Sequence, residues 1–202
     1  MKIDKVQTIR KAVLLAGIIV GAVLVAFTSS TYPPGGQTHE FIEWVGIVLI
    51  VTCILGRTWA SLYIGGRKIS NLVQSGPYSM CRNPLYFFTI LGAAGVGAQV
   101  GSITLALLCA AIALFVFTVV TLQEERLLND RYGAAFAEYR GRVPRILPDP
   151  RLWRDEPTLT IHQLRVLRTF ADALVFLLSV PISEALEYLQ EWGYLPVLLH
   201  LP

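Results

Sequence analysis

At 202 residues the chain has the length of one ordinary domain, yet 54% of it is hydrophobic, only 15% is charged, and its mean hydropathy is +0.56. Those values exclude an average soluble protein and point to a lipid environment. A net charge of +3 and a pI near 8.8 are too mild for a nucleic-acid-binding surface, and the basic residues flank apolar runs instead of forming one patch.

In chain order, Lys2, Lys5, Arg10 and Lys11 precede an apolar run, Ala12 to Thr28, near the lower length limit for crossing a hydrocarbon core. The run lacks a small-residue cleavage site at its end, so it is expected to persist as a membrane anchor and not to act as a signal peptide. The turn-rich Tyr32-Pro33-Pro34-Gly35-Gly36 follows. A second span is expected over Phe41 to Tyr63, with Trp44 near one end and Trp59 and Tyr63 near the other, as interfacial aromatic belts require; Gly65-Gly66 should stop it. Leu85 to Val100 and Ser102 to Leu122 are separated by a short uncharged segment, which predicts a tight antiparallel hairpin. Gly92 to Ala98 is rich in glycine and alanine, allowing close approach of another helix or room beside span three for an apolar chain. The last apolar segment, Phe170 to Leu189, is interrupted by Asp172, Pro181, Glu184 and Glu187, so it either spans or lies partly in the interface.

The expectation is an all-α polytopic membrane protein of about five transmembrane helices in a single membrane domain. Residues 1–69 hold spans one and two, 70–148 a core with spans three and four, and 149–202 the fifth. Basic residues lie before span one, between spans two and three (Arg67, Lys68, Arg82), and after span four (Arg126, Arg131, Arg140, Arg142, Arg145), whereas Ser29 to Glu40 and Gly97 to Ser102 contain none. The positive-inside rule therefore places the N-terminus and the 124–145 segment in the cytoplasm; a bacterial inner membrane is the expected setting.

Two polar stretches flank the hairpin. Gly76-Pro77-Tyr78-Ser79-Met80-Cys81-Arg82-Asn83-Pro84-Leu85-Tyr86 should be held extended by its prolines, placing Arg82 and Asn83 at the mouth of span three. Glu124 to Tyr139 is expected to continue span four as one helix, with Glu125, Leu128, Tyr132, Phe136 and Tyr139 on one face, ending at Gly141 and Pro144. Taken singly, such arginines and tyrosines read as membrane-boundary anchors and the Glu-Glu-Arg run as a solvated helix face. Cys53 and Cys109 read as packing residues, Cys81 as a packing thiol, and His39, His162 and His200 as surface histidines without ligand partners.

In order and spacing, Gly76-Pro77-Tyr78, Arg82-Asn83-Pro84-Leu85-Tyr86, Glu124-Glu125, Tyr132-Gly133, Phe136, Tyr139, Arg142-Val143-Pro144-Arg145 and Pro148 together resemble the isoprenylcysteine carboxyl methyltransferases and the related phospholipid N-methyltransferases. The likeness covers Gly76 to Pro148 and departs from the family's R-H-P-x-Y at Asn83, which can hydrogen-bond but cannot titrate near neutral pH. What the resemblance implies is a membrane enzyme using S-adenosylmethionine in a cytoplasmic helical segment. It further implies Tyr78, Asn83, Tyr86, Glu125 and Tyr132 as cofactor contacts, and Arg82, Glu124 and Arg142 as the group organising the reacting end. No protein nucleophile or metal is required, because methyl transfer from a sulfonium is an in-line displacement favoured by positioning and desolvation. The acceptor implied is a lipophilic small molecule or lipidated substrate, reached from the membrane lipids, with a carboxylate or an amine to be methylated; no nucleic acid is involved. An NADPH-dependent membrane reductase related to sterol reductases and a non-catalytic membrane scaffold are the competing readings. The chain is short for such a reductase and shows no extra basic cluster for a ribose phosphate.

Overall fold

The computed structural model describes residues 3–64 and 72–202, with side chains from Lys11 onward. Gly65-Gly66, Arg67 and Lys68, which the sequence assigns to the end of span two and to the loop charge, lie outside the described residues.

The architecture is helical: α1 Ile3–Phe27, α2 Gln37–Ile64, α3 Pro77–Met80, α4 Pro84–Ala98, α5 Ile103–Tyr132, α6 Ala134–Arg142, α7 Gln163–Leu174 and α8 Ser179–Glu191. Among the described residues there are also two short strands, β1 Thr28–Ser30 and β2 Leu199–Leu201. Gln37–Ile64, Ile103–Tyr132 and the α7–α8 stretch Gln163–Glu191 are long and apolar enough to cross a membrane, and Lys11–Phe27 and Pro84–Ala98 are shorter apolar helices. This is an all-α membrane protein. Its large apolar side chains confirm the solvent it is built for, since Phe41, Trp44, Leu55, Leu107 and Phe115 are all exposed along α2 and α5, where lipid tails can cover them.

The chain divides into two compact units. The first comprises Met1–Thr52, Ile90–Val120 and Val175–Pro202. Here the small residues of α4 are used for packing. A Cβ on Gly95 would stand 2.7 Å from the Gly46 carbonyl and 2.8 Å from Ile50, and one on Gly97 would stand 2.6 Å from the Leu105 carbonyl. The room for an apolar chain beside span three is therefore occupied at those two positions by α2 and α5. Between α4 and α5 the chain turns at Gly101, and the Ser102 hydroxyl accepts from the Leu105 amide at 3.1 Å to cap the incoming helix. The strands are parallel, with Thr28 opposite Leu199 and Ser30 opposite Leu201. Pro202 continues the tie, its carbonyl accepting from the Thr104 amide and the Ser102 hydroxyl, both at 2.9 Å.

The second unit comprises Cys53–Thr89 and Thr121–Leu174. Pro77 does not hold its stretch extended; it opens the one-turn helix α3, where its missing N–H is harmless and its fixed φ is already helical. Nor is the helix after span four continuous. It breaks at Gly133, φ +51°, and restarts as α6. The segment after α6 then runs back over α3. The Gly76 amide donates to the Arg154 carbonyl at 2.7 Å, the Asp149 amide to Met80 at 3.0 Å, and the Arg154 amide to the Ser79 hydroxyl at 2.9 Å. Trp153 stacks on Trp59 with ring centroids 5.8 Å apart. Gly76, φ +58°, is pressed against the Tyr63 ring, where an added Cβ would lie 2.2 Å from it.

Candidate functional site

The second unit gathers most of the residues singled out in the sequence. α4 starts at Pro84, so Arg82 and Asn83 sit at its mouth as the sequence implied, and the penultimate stretch of α5 brings Glu124 and Glu125 to them. Glu125 is the ionic centre. Its Oε1 lies 2.7 Å from Arg82 Nη1, and its two oxygens accept a bidentate pair from Arg145, Nε to Oε1 at 3.0 Å and Nη2 to Oε2 at 3.1 Å. Such a fork fixes geometry as well as charge. The Arg82 and Glu125 side chains are each only 9% exposed. Burial pulls the Arg82 guanidinium below its ordinary pKa, and the Glu125 carboxylate opposes that pull.

Backbone bonds lock the same corner. Asn83 Nδ2 donates to the Arg145 carbonyl at 3.0 Å and the Arg82 amide to the Pro144 carbonyl at 2.9 Å. Pro144 thus places its neighbours as an extended strap across the start of α4. One turn into that helix, the Tyr86 hydroxyl donates to both oxygens of Glu124, at 3.1 and 3.2 Å. Tyr139 of α6 donates to the Tyr78 carbonyl at 2.7 Å, and burial pushes both phenols up, so both stay neutral. Cys81 is fully buried, its thiol pushed up to about 12 by desolvation.

Two residues stand apart from this centre. Tyr132 packs with Leu72 and Leu128 on the cluster of Phe136, Tyr139 and Val143. Arg142 faces a cleft of about 460 Å³, with its Nη2 donating to Gln74 Oε1 at 2.9 Å and its Nη1 3.6 Å from Glu138. Arg154, Asp155 and Glu156 also line that cleft, with Leu72 and Val73 as apolar wall. Buried polar atoms without a hydrogen bond among the described residues include Arg82 Nε and the hydroxyls of Tyr78 and Tyr132. From sequence, Arg145 belongs to an Arg-Val-Pro-Arg run expected to fold back toward Arg82 but is given no site role, and the 154–156 trio carries no motif signal.

A further polar cluster lies in the first unit and corrects the reading of His39 as a surface histidine. It is 3% exposed, with Glu43 and Glu187 beside its ring. The signal available was the i,i+4 spacing of His39 and Glu43; Glu187 lies too far along the chain to be paired by inspection.

Comparison with known proteins gives the family. A phospholipid methyltransferase model matches residues 41–135, from α2 to the start of α6. A nickel-cobalt-cadmium resistance protein, NccN, of Alcaligenes xylosoxydans xylosoxydans is 37% identical over 92% of this chain and 87% of its own length. A cobalt-zinc-cadmium resistance protein, CzcN, of Cupriavidus metallidurans is 35% identical over 83% of this chain and 77% of its own. No solved structure matches. With the family model lying on the helices that carry the Arg82–Glu125 corner, and relatives aligned along nearly the whole length, this chain belongs to the phospholipid methyltransferase family of membrane proteins.

Proposed function

We propose that the protein is an S-adenosylmethionine-dependent methyltransferase acting on a carboxylate or amine of a lipophilic acceptor, with its site on the cytoplasmic face of a bacterial inner membrane. The observation that carries this reading is the convergence of the Arg82–Tyr86 turn, the Glu124-Glu125 pair and the Pro144-Arg145 strap on one corner of the second unit.

The residues present suit the cofactor. Its amino-acid end carries a carboxylate and an ammonium, and the 460 Å³ cleft offers Arg142 and Arg154 beside Asp155 and Glu156, within the ordinary size of a small-molecule site. The unpartnered Tyr78 and Tyr132 hydroxyls and Arg82 Nε supply further buried donors. When bound, the cofactor supplies an electrophilic methyl group on a sulfonium. The chain's part is to orient and to exclude water. Glu125 holds Arg82 and Arg145 in place, and Asn83 ties the strap that carries Arg145. The Arg82 and Arg145 guanidiniums suit an anionic acceptor group, whereas Glu124, oriented by Tyr86, is the group that would receive an amine. The names of the two relatives extend the setting: we infer that this methylation serves tolerance of divalent transition metals.

Purified full-length protein in detergent, given S-adenosylmethionine labelled in its methyl group, is expected to bind it saturably and to move label into the lipid fraction of membrane extracts. Arg142→Ala and Glu125→Ala should abolish transfer in protein that remains folded. Saturable NADPH binding with no S-adenosylmethionine binding would establish the reductase instead, and binding of neither would leave a scaffold.

A further inference from the structure

The first unit holds its own constellation, which shares no residue with the Arg82–Glu125 corner. His39 Nδ1 lies 3.3 Å from the Tyr32 carbonyl, an acceptor, so Nδ1 carries the proton and the Nε2 lone pair points the other way. What it points at is two carboxylates: Glu43 Oε1 at 3.3 Å and Glu187 Oε1 at 3.4 Å. A neutral imidazole in that position sets a lone pair against two anions, so something positive belongs between them. Either Nε2 takes a proton or a cation sits there.

The charge balance favours a cation of charge two. Glu40, Glu184 and Glu191 add to the field on Glu43 and Glu187, while the first unit contains no Lys or Arg after Lys11. One imidazolium neutralises one of the two contacting carboxylates and leaves the other unmatched, whereas a divalent ion matches both. The two distances from the histidine nitrogen agree. A tetrahedral ion with nitrogen and oxygen bonds of about 2.0–2.1 Å has ligand-to-ligand edges of roughly 3.3–3.4 Å, and the three ligand atoms lie within 4.8 Å of one another. The ring is fixed from behind as well. Gly101 is the residue against it, and a Cβ there would fall 2.2 Å from Nδ1, so the backbone itself forms the wall. A histidine whose second nitrogen is held by a carbonyl is the usual arrangement of a ligating imidazole.

We propose that His39, Glu43 and Glu187 form a binding site for a divalent transition-metal ion of the Zn²⁺ or Co²⁺ class. One nitrogen and two carboxylate oxygens suit these ions and disfavour both Mg²⁺, which seeks six oxygens, and Cu⁺, which seeks sulfur. Three protein ligands leave a fourth position, and the Glu43 and Glu187 side chains are 30% and 25% exposed, so that position opens outward and the ion exchanges.

The test uses full-length protein in detergent, stripped with a chelator and titrated with Co²⁺. One ion per chain should bind, with the intense visible bands of a four-coordinate site, and Zn²⁺ should displace it. Glu187→Gln and His39→Gln should each weaken binding at least tenfold, while His162→Gln, a histidine of the second unit, leaves it unchanged. Zn²⁺ should raise the unfolding temperature of the parent and not of Glu187→Gln, a comparison that holds even if His39→Gln folds poorly. Absence of Co²⁺ binding by the parent, equal binding by Glu187→Gln, or equal loss in His162→Gln would each overturn the site and leave an imidazolium ion pair. Because the readout is binding, the result is independent of whether methyl transfer is found.

Discussion

Replacing Glu125 by glutamine leaves Arg82 and Arg145 facing each other without the charge that joins them. Removing one partner of a buried pair costs about 3–5 kcal/mol, a figure to be discounted here because the Arg145 side chain is 35% exposed. The expected result is a fall of roughly 5–10 °C in the unfolding temperature, measured by tryptophan fluorescence in detergent; an unchanged midpoint would return Glu125 to a solvated helix face. Cys81 makes a pH prediction. Its thiol rises from an ordinary 9.0 to about 12, so the folded chain keeps it protonated where an unfolded chain would ionise. The stabilisation this gives is complete below pH 9.0 and is lost as pH climbs toward about 12. At pH 8, iodoacetamide should therefore leave Cys81 unmodified in folded protein, as read by peptide mass spectrometry; rapid modification would place the thiol at an accessible surface. The sequence marked this cysteine as a packing thiol from its type alone. It did not mark His39, because a carboxylate from a helix over a hundred residues away supplies half of its surroundings.

At the scale of elements, α4 separates two kinds of glycine. Gly95→Ala puts a methyl against the Gly46 carbonyl, backbone that cannot swing aside, and should cost about 1–3 kcal/mol. Gly21→Ala in α1 meets nothing within 4 Å and should be neutral or mildly stabilising, by up to about 1 kcal/mol. Thermal denaturation of the pair checks this, and equal behaviour would mean that α2 and α4 do not approach through these glycines. The long apolar helices were legible because a span needs many consecutive apolar residues and charge marks its ends. Finer geometry was not. Pro77 was read as extended although the first turn of a helix accepts proline, and Gly133 looked like one more residue in a helical run although its positive φ divides α5 from α6.

For the molecule as a whole, the positive-inside rule predicts the N-terminus and the 124–145 segment on the cytoplasmic side and the 32–40 turn outside. A cysteine substituted at Gly36 is expected to react with an impermeant reagent added to intact cells; labelling from the cytoplasmic side alone would invert the topology. Sequence order was enough to recover the Arg82–Glu125 corner, since the hairpin of α4 and α5 returns the chain to where it left. The cleft with Arg154, Asp155 and Glu156 was not recoverable that way, because those residues arrive through backbone bonds to α3 that leave no side-chain pattern.

The pairing of β1 with β2 sets a clock on biogenesis. Thr28 to Ser30 leave the ribosome early, and their partners, Leu199 to Leu201, follow about 170 residues later, a wait of roughly 10–30 s at ordinary elongation rates. During that interval β1 has no partner strand, and the carbonyl of Phe27 and the amide of Thr31 lack Leu198 and Leu201. The second unit, whose residues end at Leu174, is fully synthesised before the first can close. A chain shortened by its last five residues should therefore insert and form the Arg82–Glu125–Arg145 corner, yet show an α1 open to protease near Phe27, where the full chain resists cleavage.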